Sequence, residues 1–515
     1  MHRALLVPEI LLEVFMHVNK ILDPYALILS YRDMTLARKS FAALARTCKP
    51  FYEPAMDLLW AELDGIEPLL GCVTRLHPII YRSSGSRVSV DHVHFISFIR
   101  SSGTQMQCFH FKVIEPLSEH EAHQFLHHAR RVRSLIILYD YYFHLLSVLP
   151  VETCMFPRLL SLSTDQDLNR YLHLFLSPML RRCALPLVHP DLKSVPIRCA
   201  ALEELSIRSS FGNIAADGQV LYDSIRLCKG LVTLACPPLD WTTWEHLSNL
   251  PTLVTLKIWD DRCSLGWRNL NFRPFLNVTR LYFYTRTVAY TVAVMQHLEF
   301  PSLNQFEMEV FDLPWTEAEP LFHALSRYKT LSHIAISSRR SSRNAQDLLG
   351  SSLTPIRQSL CFTRLRTLRF SFPSCCINLD NDLLLEAMSS WPHIGILEFI
   401  DSQTIPTVTF RGLFAALRRC PRLHMLDIPL DAVDIDPTAE SFQHTSLQHL
   451  NLTSSDISDA KAVARIIFSV LPSVDRVVPL HKRSSGVCLE VQTHLESFRA
   501  SAVLGCHITG AASKT

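Results

Sequence analysis

Four histidines crowd one short stretch, His120, His123, His127 and His128, with Glu121 among them. Zinc ligation is the chemistry that such a cluster could perform, and His123 and His127 stand one helical turn apart, as two ligands on one helix face do. The H-E-x-x-H pattern is not completed, because the histidine after Glu121 falls one residue early. A solvated helix face is the reading the residues favour, and no metal is expected. Cys375 and Cys376 are adjacent, and no C-x-x-C pair finds a partner pair anywhere. Neither a G-x-S-x-G elbow nor a G-x-x-x-x-G-K-[ST] phosphate loop occurs. The chain is therefore expected to be no enzyme, to have no catalytic residue and to need no cofactor. Arg339-Arg340-Ser341-Ser342-Arg343 reads as a basic connecting loop that phosphorylation could reach.

The elements that would position any site recur. A six-residue phrase, apolar-x-x-apolar-x-apolar, returns at Val132-Leu135-Ile137, Leu202-Leu205-Ile207, Leu253-Leu256-Ile258, Val278-Leu281-Phe283, Leu303-Phe306-Met308, Leu331-Ile334-Ile336, Leu365-Leu368-Phe370, Ile394-Leu397-Phe399, Leu423-Leu426-Ile428 and Leu447-Leu450-Leu452. Weaker copies sit at Leu159, Leu231 and Val474. Its alternating end predicts a short strand with apolar side chains turned inward, and parallel stacking of such strands builds one continuous core. Helical patterns lie between the phrases, at 319–325, 382–388, 410–417 and 460–471. Several run to a proline just before the next phrase, as at Pro251, Pro301, Pro392, Pro421 and Pro472, which stops the helix and favours extended backbone before it.

These phrases resemble degenerate leucine-rich repeats, and from Leu253 onward the strong copies recur roughly every two to three dozen residues, near the period of such repeats. The asparagine that commonly follows the strand in that family is replaced by residues such as Asp261, Arg286 and Phe311. The resemblance implies an α/β solenoid with parallel strands on the concave face and helices on the convex one. The residues between inward positions would then face the concave side: Lys257 and Trp259, Tyr282 and Tyr284, Glu307 and Glu309, Arg369, Glu398 and Asp427. Aromatic and arginine side chains on such a surface are the usual anchors for a protein partner.

The first sixty residues read differently. Pro8-Glu9 opens a helix whose apolar stripe is Ile10, Leu11, Val14, Phe15 and Val18; further helical patterns follow at Leu36, Phe41, Leu44, Ala45 and Cys48, and at Phe51, Met56, Leu59 and Trp60. Val7-Pro8-Glu9-Ile10-Leu11, Leu44-Ala45-Arg46-Thr47-Cys48-Lys49 and Ala55-Met56-Asp57-Leu58-Leu59-Trp60 resemble the F-box, and in particular the large F-box family of mushroom-forming (basidiomycete) fungi. Ile21 to Thr35 exceeds the usual connection, so either the loop is enlarged or the second helix begins early. The resemblance implies a substrate-recognition subunit of an SCF-type cullin-RING E3 ubiquitin ligase. Pro8, Ile10, Leu11, Val14, Phe15, Leu44 and Cys48 would bind the adaptor subunit, and through it cullin, while the repeats bind a target protein. The alternative is a non-catalytic repeat scaffold whose amino-terminal helices only cap the array.

The expected organisation is an F-box-like module at 1–65, a connector at 66–130, the repeats at 131–480 and a carboxy-terminal segment at 481–515, whose end from Ala500 is a loose tail. In the connector, Leu69 to Leu76 reads as helix, Phe109 to Val113 as strand, and Ser118 as the cap of a helix running to Arg131. Composition agrees: at 48 % hydrophobic and 19 % charged, the chain has ample material for a core. A net charge of +2 without a long basic run gives no electrostatic case for nucleic acid. The longest apolar run, Leu135 to Val151, is interrupted by Asp140 and His144 and short for a span, so no membrane is expected. Fifteen scattered cysteines and no signal-like start point to reduced thiols in the cytoplasm or nucleus.

Overall fold

The computed structural model describes residues 13, 15, 17, 31–81, 114–150, 154–166, 168–209, 214–259, 272–311, 313, 315–339, 354–372, 379–400, 406–433, 442–452, 455–477 and 486–511. They form two compact units, Met1–Leu231 and Val232–Thr515. Among the described residues no helix is long and apolar enough to cross a membrane.

The first unit opens with helical turns at Glu13, Phe15 and His17, then α1 (Tyr31–Ala45) and α2 (Lys49–Leu59). Helix α1 begins at Tyr31, ahead of Leu36, and the rest of the long connection, from Ile21, lies outside the described residues. Phe15, Phe41 and Ala55 are buried together, with Leu44, Phe51 and Leu58 packed around them. The Phe15 ring meets Phe41 at 6.3 Å and Phe51 at 5.7 Å, both edge-on, the arrangement aromatic quadrupoles favour. The helices therefore carry a small core of their own.

A strand follows at once. β1 (Glu62–Leu63) pairs in parallel with β2 (Ser134–Ile137), then β3 (Ser161–Thr164), β4 (Arg182–Leu187) and β5 (Glu204–Ser209). The parallel sheet thus begins at Glu62, ahead of the expected boundary at 131. Two short helical turns, Glu67–Leu70 and His77–Ile80, stand where one helix from Leu69 to Leu76 was expected. The expected strand at Phe109–Val113 lies outside the described residues. Helix α3 (Glu119–Ala129) starts as expected: Ser118 accepts from the Glu121 amide while the Glu121 carboxylate accepts from the Ser118 amide, a reciprocal cap that satisfies two orphan donors. Helix α4 (Ile214–Leu227) completes the unit.

The second unit repeats one strand-helix plan. Its strands are β6 (Thr233–Cys236), β7 (Thr255–Trp259), β8 (Arg280–Thr285), β9 (Gln305–Val310), β10 (His333–Ser338), β11 (Thr367–Ser371), β12 (Ile396–Ile400), β13 (Met425–Asp427) and β15 (His449–Asn451), each parallel to the next. Between and after them come α5 (Trp241–Ser248), α6 (Ala289–His297), α7 (Trp315–Leu325), α8 (Thr354–Ser359), α9 (Asn381–Ser390), α10 (Phe410–Leu417) and α11 (Ala460–Val470). Short strands β14 (Asp431–Ala432) and β16 (Asp456–Ile457) pair beside the main sheet. This is the α/β stacking that the repeat phrase predicts.

The register follows from burial. Leu256, Leu281, Phe306, Ile334, Leu368, Leu397 and Leu426 occupy one row across the sheet and are each 1 % exposed or less. Slipping any strand by one residue would turn that row to solvent, at a cost of about 1.5–3 kcal/mol for each side chain exposed. Helices cover this face, as the edge-on contact of Phe322 on α7 with Phe370 on β11 shows. Side chains just before the helices cap them: Asp240, Asp380, Thr409 and Asp459 each accept from backbone amides of the first turn.

Buried polar tips tie one repeat to the next. The Tyr290 hydroxyl accepts from the Trp244 indole at 3.0 Å and from the Leu239 amide at 2.9 Å. Tyr328 donates to the Leu298 carbonyl at 2.8 Å, Trp391 Nε1 to the Ser359 carbonyl at 3.1 Å, and His444 Nε2 lies 3.0 Å from the Cys420 carbonyl. Each gives a buried side-chain tip a polar partner in the neighbouring repeat.

Helix α12 (Gly486–Ala511) corrects another expectation: the chain continues in helix past Ala500 instead of loosening there. Cys488, Val491 and Leu495 form its buried stripe, Phe498 meets Phe468 of α11 at 6.1 Å, and Arg499 donates to the Val474 and Asp475 carbonyls. The helix thereby adds a further layer against α11 and the preceding turn.

Candidate functional site

The expected target-binding residues stand in two rows on the sheet face opposite the helices. Register places Lys257, Tyr282, Glu307, Ala335, Arg369, Glu398, Asp427 and Asn451 side by side on successive strands. Two residues further along, Trp259, Tyr284, Glu309, Ser337, Ser371 and Ile400 form the second row. The alternation is strict because each strand turns its intervening side chains into the core.

At the start of the rows the chemistry is aromatic. Trp259 and Tyr284 stack with ring centres 4.3 Å apart and planes 19° from parallel, and Lys257 Nζ lies 4.9 Å from the centre of the Tyr282 ring. Stacking on neighbouring strands holds these rings in place, so little side-chain freedom remains to be lost when a partner arrives. Burial, with Glu307 adding to it, pushes both tyrosine hydroxyls above their ordinary range.

Further along, acids meet bases. Glu307 lies 3.1 Å from His333 Nε2 and accepts from Gln305 Nε2 at 2.7 Å, contacts that hold its carboxyl below the usual range. Glu309 pairs with Arg339. Arg369 Nε is 3.1 Å from Glu398 Oε2, an ion pair whose angle does not make a hydrogen bond. Burial pushes the Glu398 carboxyl up, with Arg369 opposing it. At β13, Asp427 accepts from Asn451 Nδ2 at 2.8 Å, and burial lifts its carboxyl to about 7.

Tyr284, Glu307, Glu309, Arg369, Glu398 and Ile400 rise around Ala335, Ser337 and Ser371 to form a half-open hollow of about 270 Å³. A second, of about 280 Å³, lies beside it between Tyr284, Arg286, Glu309, Phe311 and Arg339. Each is smaller than a typical drug-sized ligand pocket and suits a side chain projecting from a partner.

Seven of the nine expected residues are partly exposed here, whereas Glu398 and Asp427 are 7 % and 6 % exposed. These two do not offer free side chains. Their alternation in sequence matched that of Arg369, but β13 is only three residues long and Asn451 closes over it from β15. His333, Gln305, Ser337 and Arg339 were missed, although all but Arg339 sit at outward positions of a strand phrase and were readable on the same alternation.

At the amino terminus, Pro8, Ile10, Leu11 and Val14 lie outside the described residues. Phe15 is buried among its own helices, Leu44 packs at the rim of that core, and Cys48 is half-buried at the start of α2. As placed, Phe15 holds the helices together instead of facing outward. Arg131, 6 % exposed, ion-pairs with Glu53 at 2.6 Å and with Asp57, while Trp60 stacks on His128 at 4.5 Å. Burial against Trp60, with His127 and Arg131 nearby, lowers the His128 ring to about 4. His128 thus works as a packing surface, while His120, His123 and His127 are exposed on α3.

No family model matches the sequence, and no curated protein matches it. Among solved structures the chain is similar to the crystal structure of an APL1 leucine-rich repeat domain, at 12 % identity and a TM-score of 0.27, over 70 % of this chain and 77 % of that one.

Proposed function

We propose that the chain is a protein-binding repeat scaffold serving as a substrate receptor: its amino-terminal helices dock on the adaptor of an SCF-type ubiquitin ligase, and through it on cullin, while the open sheet face of Val232–Thr515 holds a target protein. On this reading the chain is non-catalytic and works in the cytoplasm or nucleus. Its contribution is proximity, since a held target meets the ligase at high effective concentration.

The observation that carries the reading is the open face of β7 to β12. It presents the Trp259–Tyr284 stack, the Lys257–Tyr282 contact and three acid-base pairs around two hollows. Pre-stacked aromatics beside polar groups are what protein-binding hot spots use. The adaptor contact draws on the F-box-like residues and on the separate helical core, which leaves the helices organised apart from the repeats. A second reading, in which the helices only cap the first strands, draws on the clasp of Arg131 on Glu53 and Asp57.

Co-purification of the full chain with the adaptor, beside a Pro8→Ala, Leu11→Asp variant, separates the two. Binding that the variant loses while its repeats stay folded supports the receptor. No binding by the native chain refutes docking and leaves the capped scaffold.

A further inference from the structure

Two carboxyl groups on the open face are largely buried and stand side by side on neighbouring strands. Glu398 and Asp427 are register partners in the β12–β13 pairing, where neighbouring strands run about 4.8 Å apart. Only Glu398 has a cation against it: Arg369, whose own side chain is 42 % exposed. Asp427 has instead the amide of Asn451. Two carboxylates this close repel each other, and burial removes the water that would spread their charge.

We propose that Glu398 and Asp427 hold one proton between them near neutral pH, and that this shared proton makes the carboxy-terminal end of the open face responsive to pH. With the proton in place, a neutral carboxyl lies beside an arginine-paired carboxylate. When it leaves for solvent, two carboxylates remain on neighbouring strands, with an arginine against Glu398 alone. The macroscopic titration belongs to the pair, and its position near 7 agrees with the burial of Asp427, to which Glu398 adds. Among the described residues, the charged or titratable groups on this face also include Arg369 on β11, His333 and the following Arg339 at β10, Glu307 and Glu309 across the hollow on β9, Arg280, Tyr282 and Tyr284 on β8, Lys257 on β7, and His449, exposed on β15 level with Met425 and backbone-bridged to Arg476.

The sign follows from linkage. In the unfolded chain an aspartate loses its proton near 4, so between about 4 and about 7 the folded state binds the extra proton. Stability from this pair is full below that window, falls as pH rises through it, and is flat above. Because Glu398 also lines the hollow, proton loss makes that pocket more negative. This last consequence rests on the proposed target face; the proton itself does not.

The test is the denaturant stability of the full chain from about pH 5 to about pH 8, for the native protein, Asp427→Asn and Glu398→Gln. The native folded-to-unfolded ratio should fall, relative to Asp427→Asn, by up to about tenfold per pH unit inside the window. Glu398→Gln leaves Asp427 without its acidic neighbour and should move the transition to lower pH. Parallel native and Asp427→Asn profiles would overturn the proposal. Infrared difference spectra of the native chain supply a readout that needs no variant: a protonated-carboxyl band should disappear between about pH 6 and about pH 8, and its absence at both would overturn the proposal equally. Loss of target capture with this titration intact would count against the target face alone.

Discussion

Replacing Tyr290 with phenylalanine tests whether the ties between repeats hold the array. The ring fills the same space, so no cavity forms, and only the hydroxyl is lost. That hydroxyl accepts from two buried donors, the Trp244 indole at 3.0 Å and the Leu239 amide at 2.9 Å, and Trp244 and Leu239 are 0 % and 1 % exposed. A buried donor left without a partner costs about 1–3 kcal/mol, so the pair predicts a loss of about 2–6 kcal/mol, large for a one-atom change. Urea unfolding followed by tryptophan fluorescence measures it. A Trp244→Phe, Tyr290→Phe double variant should lose less than the sum of its singles, because removing the indole donor removes one of the two penalties. A Tyr290→Phe loss below about 0.5 kcal/mol would refute the reasoning, since water or a local shift would then be satisfying both donors.

Other perturbations read other parts of the chain. Arg131→Met keeps a buried stem but removes the clasp on Glu53 and Asp57; faster proteolysis within 31–60 at unchanged repeat stability is expected, and equal rates would show that the clasp contributes nothing. Trp259→Ala breaks the stack on Tyr284 and should weaken capture of a target by about 2 kcal/mol or more in a binding titration, with stability of the repeats largely kept. Glu307, held below the ordinary carboxyl range chiefly by His333, contributes stability that is present at neutral pH and lost as pH falls through its folded value. Glu307→Gln should therefore flatten the acid limb of the stability profile, and an unchanged limb would count against the pairing.

Much of the fold was legible because the strand phrase carries its own physics. Alternation fixed which side chains of β7 to β12 face inward, and proline after several of the helices marked where the next strand begins. What escaped notice had a physical reason. Strand β4 was missed because Cys183 takes a place that leucine holds elsewhere, yet at 2 % exposed it packs as a leucine would. Strand β1 is two residues long, too short for any period. Helix α12 hid because its buried stripe, Cys488, Val491 and Leu495, is narrow and mixed with polar residues. In the candidate site, outward direction was readable from alternation, but burial of Glu398 and Asp427 depends on what neighbouring strands place beside them.

The ties between repeats also bear on ancestry. Tyr290 accepts from an indole and an amide, Tyr328 donates to one carbonyl, Trp391 to another, and His444 reaches a third. Each junction is keyed to its own neighbour, so the units are not interchangeable bricks. Deleting or duplicating one would set a tyrosine or tryptophan head against a layer with no matching group. Such an array changes by substitution within a fixed order, and swapping whole repeats is the wrong way to engineer it.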